Sequence, residues 1–229
     1  MAKLQIALDF IDLNQALEMA GKVAPYCDIL EAGTPLVKSV GMECVRQLKK
    51  SFPLKLIFAD LKTMDAGEIE VNLAASAGAN YVSVMAAASV KTVTSAINTG
   101  KAHNVEVVFD LMGTIDKLKR AQELQELGVQ YLHIHTGLDE QTEGQDPLET
   151  LTVIAQNTSI QLTVAGGINS NNLIKVLTVP KVDIVMIGSA ITSAGNPAES
   201  AKIFYRRLKT IKLDKLWNTK EFSKKYRKY

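Results

Sequence analysis

The sequence predicts an α/β chain closed into a single (β/α)8 barrel, and three observations predict it. Eight apolar, strand-like runs recur along the chain, each beginning roughly 25 residues after the last. Segments of helical character fill the intervals, which implies parallel pairing through crossover connections. Polar and charged residues gather at the trailing ends of the runs, where barrels of this kind place their chemistry. The competing arrangement is an open doubly wound sheet; the strand count and the lack of a Gly-rich turn after the first run disfavour it.

The runs occupy 4–8, 28–32, 54–59, 81–85, 106–109, 131–134, 161–165 and 183–187. The first hands over to Asp9, the second contains Glu31 near its end, and the third leads into Asp60 and Lys62. The fifth and sixth lead to Asp110 and His135. The seventh is followed by Gly166-Gly167 and the eighth by Gly188-Ser189. Between runs, 116–128 sets Leu118, Ala121, Leu124, Gln125 and Leu127 near a 3.6-residue period and stops at Gly128. Asp146-Pro147 and Asn196-Pro197 read as helix starts with proline in the first turn.

A length of 229 residues suits one α/β domain, assigned to 1–212 with a basic C-terminal extension over 213–229. With 47% hydrophobic and 22% charged residues the chain is not of a disordered class. No apolar run approaches the roughly 20 residues that span a bilayer. The first residues meet Asp9 too early for a secretory signal. Cys27 and Cys44 lack paired-ligand spacing, so neither a structural zinc site nor a disulfide framework is expected, and a cytoplasmic location is. The net charge of +2 hides an asymmetry: residues 202–229 carry 11 basic and 2 acidic residues, the remainder 15 and 22.

The densest chemistry lies in Ala59-Asp60-Leu61-Lys62-Thr63-Met64-Asp65-Ala66-Gly67. Three charges in six positions at a strand end are expensive to bury without partners, a ligand or a metal. Asp60 and Lys62 point to one side if strand geometry continues through them. Glu31 and Asp60 are candidate ligands for a hard divalent cation such as Mg²⁺, which takes one or two carboxylates and keeps waters. The competing reading pairs Glu31 with Lys62 and needs no metal. Gly166, Gly167 and Gly188, after the last two strands, mark a phosphate grip through backbone N–H groups. His135 at the rim suits proton transfer, while His133, on the same face, lines the core or the rim.

Laid out in order, these segments resemble the orotidine monophosphate decarboxylase suprafamily over about residues 3–210. They are 4–9, Glu31-Ala32-Gly33-Thr34-Pro35, 59–67 with its Asp-x-Lys-x-x-Asp pattern, 109–112, 135–141, 164–168 and 187–192. The resemblance implies a homodimer with shared active sites, Asp65 reaching into the partner's site. It also implies reversible aldol chemistry on a phosphorylated ketose and formaldehyde: D-ribulose 5-phosphate gives D-arabino-hex-3-ulose 6-phosphate. Mg²⁺, or Mn²⁺, is then held by Glu31 and Asp60. Asp60, Lys62, Asp65 and His135 form the catalytic set, and Asp9 and Asp110 hold sugar hydroxyls or Lys62. Gly166, Gly167, Gly188 and Ser189 bind phosphate. A sister activity on this scaffold decarboxylates 3-keto-L-gulonate 6-phosphate. It typically has Glu where this chain has Asp110, and Arg residues near Thr136-Gly137 and Ser189, which favours the aldol reading. The basic tail with Phe222, Tyr226 and Tyr229 carries no RNA-binding signature, so neither nucleic acid nor a membrane is an expected partner. The alternative from another class is an inactive barrel with an anion-binding tail.

Overall fold

The computed structural model describes residues 1–142 and 147–210. Asp146, the proposed boundary at 212 and the extension 213–229 lie outside the described residues. Eight parallel strands close in sequence order, with β1 pairing both β2 and β8. They are β1 (Lys3–Leu8), β2 (Ile29–Ala32), β3 (Leu56–Thr63), β4 (Tyr81–Met85), β5 (Glu106–Asp110), β6 (Tyr131–His135), β7 (Gln161–Ala165) and β8 (Val182–Ile187). The (β/α)8 expectation holds, and its largest boundary error is in β3. That strand starts two residues later than expected and runs on to Thr63, so Asp60 and Lys62 lie within it.

Helices α1 (Leu13–Val23), α2 (Thr34–Val40), α3 (Glu43–Ser51), α4 (Gly67–Ser76) and α5 (Val90–His103) cover the first half. The second half has α6 (Lys117–Glu126), α7 (Leu138–Thr142), α8 (Leu148–Asn157), α9 (Leu173–Thr178), α10 (Ser189–Thr192) and α11 (Pro197–Thr210). Their starts follow local chemistry. Asp12, Ser89 and Asp116 each accept a backbone N–H of the first turn, satisfying donors that the helix leaves open. The expected helix over 116–128 is α6, capped by Asp116 and followed by Gly128 at φ +83°. Pro197 opens α11 as expected; Pro147 sits one position earlier, as the N-cap of α8. Among the described residues no helix is long and apolar enough to cross a membrane.

Strand alternation sorts the barrel interior into layers drawn from alternate strands. Stepping along the registers gives a lowest layer of Ile29, Tyr81, Tyr131 and Ile184, then Gln5, Phe58, Val108 and Thr163. Phe58 stacks on Tyr81 and Tyr131 meets Tyr81 edge-on, both at 6.1 Å between ring centroids, which closes this end with aromatic area. The next layer up is Glu31, Ser83, His133 and Met186, and above it lie Ala7, Asp60, Asp110 and Ala165. The interior therefore changes from apolar to polar toward the C-terminal ends of the strands. Outside the strands, the other apolar faces of β1–β8 pack on the helices in one continuous core.

Candidate active site

The polar end of the barrel brings Asp60, Lys62, Asp110 and His135 into direct contact. The Lys62 ammonium lies 3.0 Å from Asp60 Oδ2 and 3.2 Å from Asp110 Oδ2. His135 Nδ1 lies 3.3 Å from the same Asp110 oxygen, while Met112 N–H donates to Asp110 Oδ1 at 2.8 Å. Burial alone would lift the Asp110 carboxyl, but His135, His133 and Lys62 outweigh it and hold the group well below the usual carboxylate range. An ionised Asp110 accepts, so His135 Nδ1 carries the hydrogen and Nε2 is the ring's remaining lone pair when neutral. Burial works against the Lys62 charge, yet Asp60 and Asp110 prevail and raise its pKa. Lys62 is thus a fixed cation.

Asp60 and Lys62 meet for a reason different from simple strand alternation. Lys62 has φ +48°, and the β3–β4 register shifts between Ala59 and Thr63. Regular strand geometry does not continue through these residues; a bulge re-aims them. A left-handed backbone costs a residue other than glycine about 1–2 kcal/mol. Asp60 is held from three sides: Thr34 Oγ1 donates to Oδ2 at 2.5 Å, Ser83 Oγ to Oδ1 at 2.6 Å, and Lys62 lies against both oxygens. Burial opposes the Asp60 charge, but Lys62, Ser83 and Thr34 keep its pKa low.

Glu31 is in the opposite situation. It is 2% exposed, and Gln5 Nε2 donates to its Oε2 at 2.7 Å. The competing reading of a Glu31–Lys62 ion pair fails, since Lys62 pairs with Asp60 and Asp110. Burial first, then the charges of Asp60 and Asp9, pushes the Glu31 carboxyl well above its ordinary value. Asp9 is exposed at the rim and is also raised, by desolvation of its inner side and by Asp60. A Cβ at Gly33 would overlap the Asp9 carboxylate, and Gly188 leaves it ordinary space at 3.7 Å, so glycines on both neighbouring strand ends make room for it.

The other expected residues divide. Gly166 and Gly167 both have positive φ, +95° and +65°. Gly166 has a packing reason as well, because any Cβ there would strike Thr136 of the preceding unit. Gly188 sits next to Asp9, and Ser189 is exposed at the start of α10. Asp65 is exposed and makes none of the ion pairs among the described residues, so it does not reach Lys62 of its own chain. His133 is a core residue, 2% exposed, bonded through Nδ1 to Thr163 Oγ1. Burial lowers its pKa to about 4. Sequence reasoning missed Gln5, Thr34 and Ser83. Ser83 carried a readable signal, a small polar residue on the face shared by Tyr81 and Met85.

Two sets of residues bear on metal binding. Asp110, His133 and His135 bring one ligand atom each within 4.8 Å of one another, a donor set suited to a borderline-soft ion. The Lys62 ammonium already lies on Asp110 Oδ2, the oxygen nearest His135. Glu31, Asp60 and Asp9 are hard oxygen donors whose negative charge Lys62 alone does not balance, and this is the chemistry a hard dication fits. A separate cavity of about 310 Å³ opens beside α5 and β5, lined by Ile97, Lys101, Val105, Val107 and Phe109. It touches none of the rim residues, so the convergence of charge, and not this cavity, locates the site.

Eight parallel strands with acids, a lysine and a histidine gathered at their C-terminal ends define an enzyme-type (β/α)8 barrel. The chain belongs to the orotidine 5'-phosphate decarboxylase / HUMPS family, whose profile matches residues 2–204. It is 42% identical over 205 residues to a 3-hexulose-6-phosphate synthase of Mycobacterium gastri, covering 87% of this chain and 96% of that one. The crystal structure of 3-hexulose-6-phosphate synthase from Salmonella typhimurium superposes with a TM-score of 0.87 at 36% identity, covering 90% of this chain and 98% of that one. A 3-keto-L-gulonate-6-phosphate decarboxylase from Vibrio cholerae matches with a TM-score of 0.79 at 27% identity, covering 90% and 98%.

Proposed function

We propose that this chain is an aldehyde-lyase with 3-hexulose-6-phosphate synthase activity. It joins D-ribulose 5-phosphate to formaldehyde, reversibly, to give D-arabino-hex-3-ulose 6-phosphate. The observation that carries this reading is the Lys62 ammonium shared by Asp60 and Asp110, in a chain 42% identical to a synthase over nearly the whole of both. A short Asp at the fifth strand end, with Thr136-Gly137 and Ser189 where the decarboxylase pattern has Arg, supports the aldol reaction over decarboxylation.

Glu31 and Asp60 would hold a divalent cation, Mg²⁺ with Mn²⁺ as substitute, which when bound would supply Lewis-acid polarisation of the ketose. Lys62 places a fixed positive charge where negative charge develops on the sugar, an interaction realised most strongly in the transition state. Asp110 orients His135 through Nδ1, so that Nε2 moves the proton at the reacting carbon. Asp9 holds a sugar hydroxyl at the mouth. The phosphate is gripped by backbone N–H groups around Gly166, Gly167, Gly188 and Ser189, whose small side chains let a ligand come close.

The catalytic unit is a homodimer in the cytoplasm. Asp65, exposed and unengaged with Lys62 in its own chain, acts in the partner's site. Beside it, Met64, Ile69 and Leu73 are each at least half exposed, with Ile69 and Leu73 four apart on α4, giving an apolar face for a second copy.

The test offers two substrates with Mg²⁺ present. Ribulose 5-phosphate with formaldehyde should be consumed at a rate at least tenfold above decarboxylation of 3-keto-L-gulonate 6-phosphate. Dominant decarboxylation would reassign the chain to the sister activity, and turnover of neither would return the inactive barrel.

A further inference from the structure

β3 and β4 pair regularly at Phe58–Tyr81 and Ala59–Val82, and pair again at Thr63–Val84. Asp60, Leu61 and Lys62 of β3 therefore lie opposite a single residue of β4, Ser83. An excess of residues in one strand leaves main-chain groups without ladder partners. Ser83 replaces what the ladder loses. Its fully buried hydroxyl accepts the Lys62 N–H at 2.9 Å and donates to Asp60 Oδ1 at 2.6 Å. A hydroxyl has one proton and two lone pairs, so both bonds form at once. On its other side Ser83 keeps a regular pairing with Val108, two residues before Asp110 on β5.

We propose that Ser83 is a positioning residue of this site. One hydroxyl fixes both the backbone of Lys62 and the carboxylate of Asp60, and so sets the point from which the Lys62 ammonium reaches Asp60 and Asp110 together. Thr34 also bonds the Asp60 carboxylate, but it does not touch Lys62. Ser83 alone of these two hydroxyls couples the pair. Without it, the partly buried Lys62 amide loses its acceptor, and a lysine at positive φ has little reason to stay there. Return to an ordinary backbone would swing the ammonium away from Asp110. The kinetic side of this inference rests on the proposed synthase reaction; the geometric side rests on the strand pairing.

The experiment compares wild type with Ser83→Ala, Ser83→Cys and Ser83→Thr. Displacing a charged group by about 1 Å costs on the order of 10²-fold in rate, so Ser83→Ala should lose roughly that in kcat. The KM for ribulose 5-phosphate should stay within about threefold, because the phosphate grip is elsewhere. Ser83→Thr, which keeps the hydroxyl, should recover most of kcat, and Ser83→Cys should fall between. A crystal structure of Ser83→Ala should show Lys62 Nζ beyond hydrogen-bonding distance of Asp110. Undiminished kcat in Ser83→Ala, a threonine variant as slow as the alanine one, or an unmoved Lys62 would each overturn the proposal. If Ser83→Ala does not fold, wild-type kcat in Ser83→Cys does the same. If wild type turns over neither sugar phosphate, the functional reading fails, and the Lys62–Asp110 distance in the variant decides the positioning role.

Discussion

The two ends of the barrel handle charge in opposite ways. At the N-terminal end two lysines each meet an acidic counterpart. Lys3 pairs with Asp183 at 2.6 Å, Tyr131 OH donates to the same carboxylate at 3.1 Å, and Lys209 pairs with Asp28 at 3.1 Å. At the C-terminal end Asp9, Glu31, Asp60 and Asp110 surround one fixed cation, Lys62, with His135 as the further basic group. Balanced pairs hold a fold closed. An unbalanced cluster on a rigid barrel is a standing attraction for cations and for the developing charge of a reaction, and it is tolerated because the layers beneath are well packed.

The largest break in that contrast comes from Asp60→Ala. It removes a proposed metal ligand and one of the two anchors of Lys62, while Thr34 and Ser83 lose only a partner. Turnover should fall by at least ~10³-fold, the scale of losing a main electrostatic stabiliser, with the far-ultraviolet dichroism of wild type. Mixing this variant with Asp65→Ala should restore about a quarter of wild-type activity. Half of freely exchanged dimers are hybrids, and each hybrid has one of its two sites intact. No recovery after verified subunit exchange would place Asp65 outside the partner's site.

The barrel was legible because its signal is repeated: an error in one strand leaves seven others to set the topology. The rim residues were legible for the same reason, as each strand end is a fixed place in the repeat. What was not legible was the local route by which Asp60 and Lys62 meet. Alternation predicted one face, whereas a bulge at Lys62 does the work, and a bulge is decided by the pairing of β3 with β4, not by β3 alone. Gln5, Thr34 and Ser83 were missed because one hydroxyl or amide on an apolar strand reads as tolerance until a partner comes within reach. Gly166 drew a ligand-binding explanation, yet its contact with Thr136 supplies a second reason that only packing reveals.

Glu31 sharpens the comparison through pH. Its carboxyl is raised in the fold, above the unfolded value of about 4.3. Such a group stabilises most below the unfolded pKa, and that contribution is lost as pH rises through the folded one. As pH rises above the unfolded value, the buried Glu31 carboxyl therefore weakens the metal-free protein, and a cation on it relieves the strain. Mg²⁺ should raise Tm more at pH 8 than at pH 5.5. At a hundredfold excess over its Kd the gain is about 2.7 kcal/mol, roughly 5–10 °C for a chain of this length. Glu31→Gln should be more stable than wild type in EDTA at pH 8 and should lose the Mg²⁺ increment. An undiminished increment in that variant would remove Glu31 from the metal site.

The smallest effect belongs to the balanced end. Asp183→Asn keeps the size of the side chain and an acceptor for Tyr131, but leaves Lys3 without its counter-charge. Both partners of that pair retain some solvent, with 31% and 24% of their side chains exposed, so water takes up part of the loss. Stability should fall by about 1 kcal/mol, or ~2–4 °C in Tm. The aldol rate at 25 °C should be unchanged within twofold, because two packed layers of the barrel interior separate Asp183 from Lys62. A tenfold drop in kcat at a temperature where the variant is folded would show that the two ends are coupled, and that the rim depends on more than rigid packing beneath it.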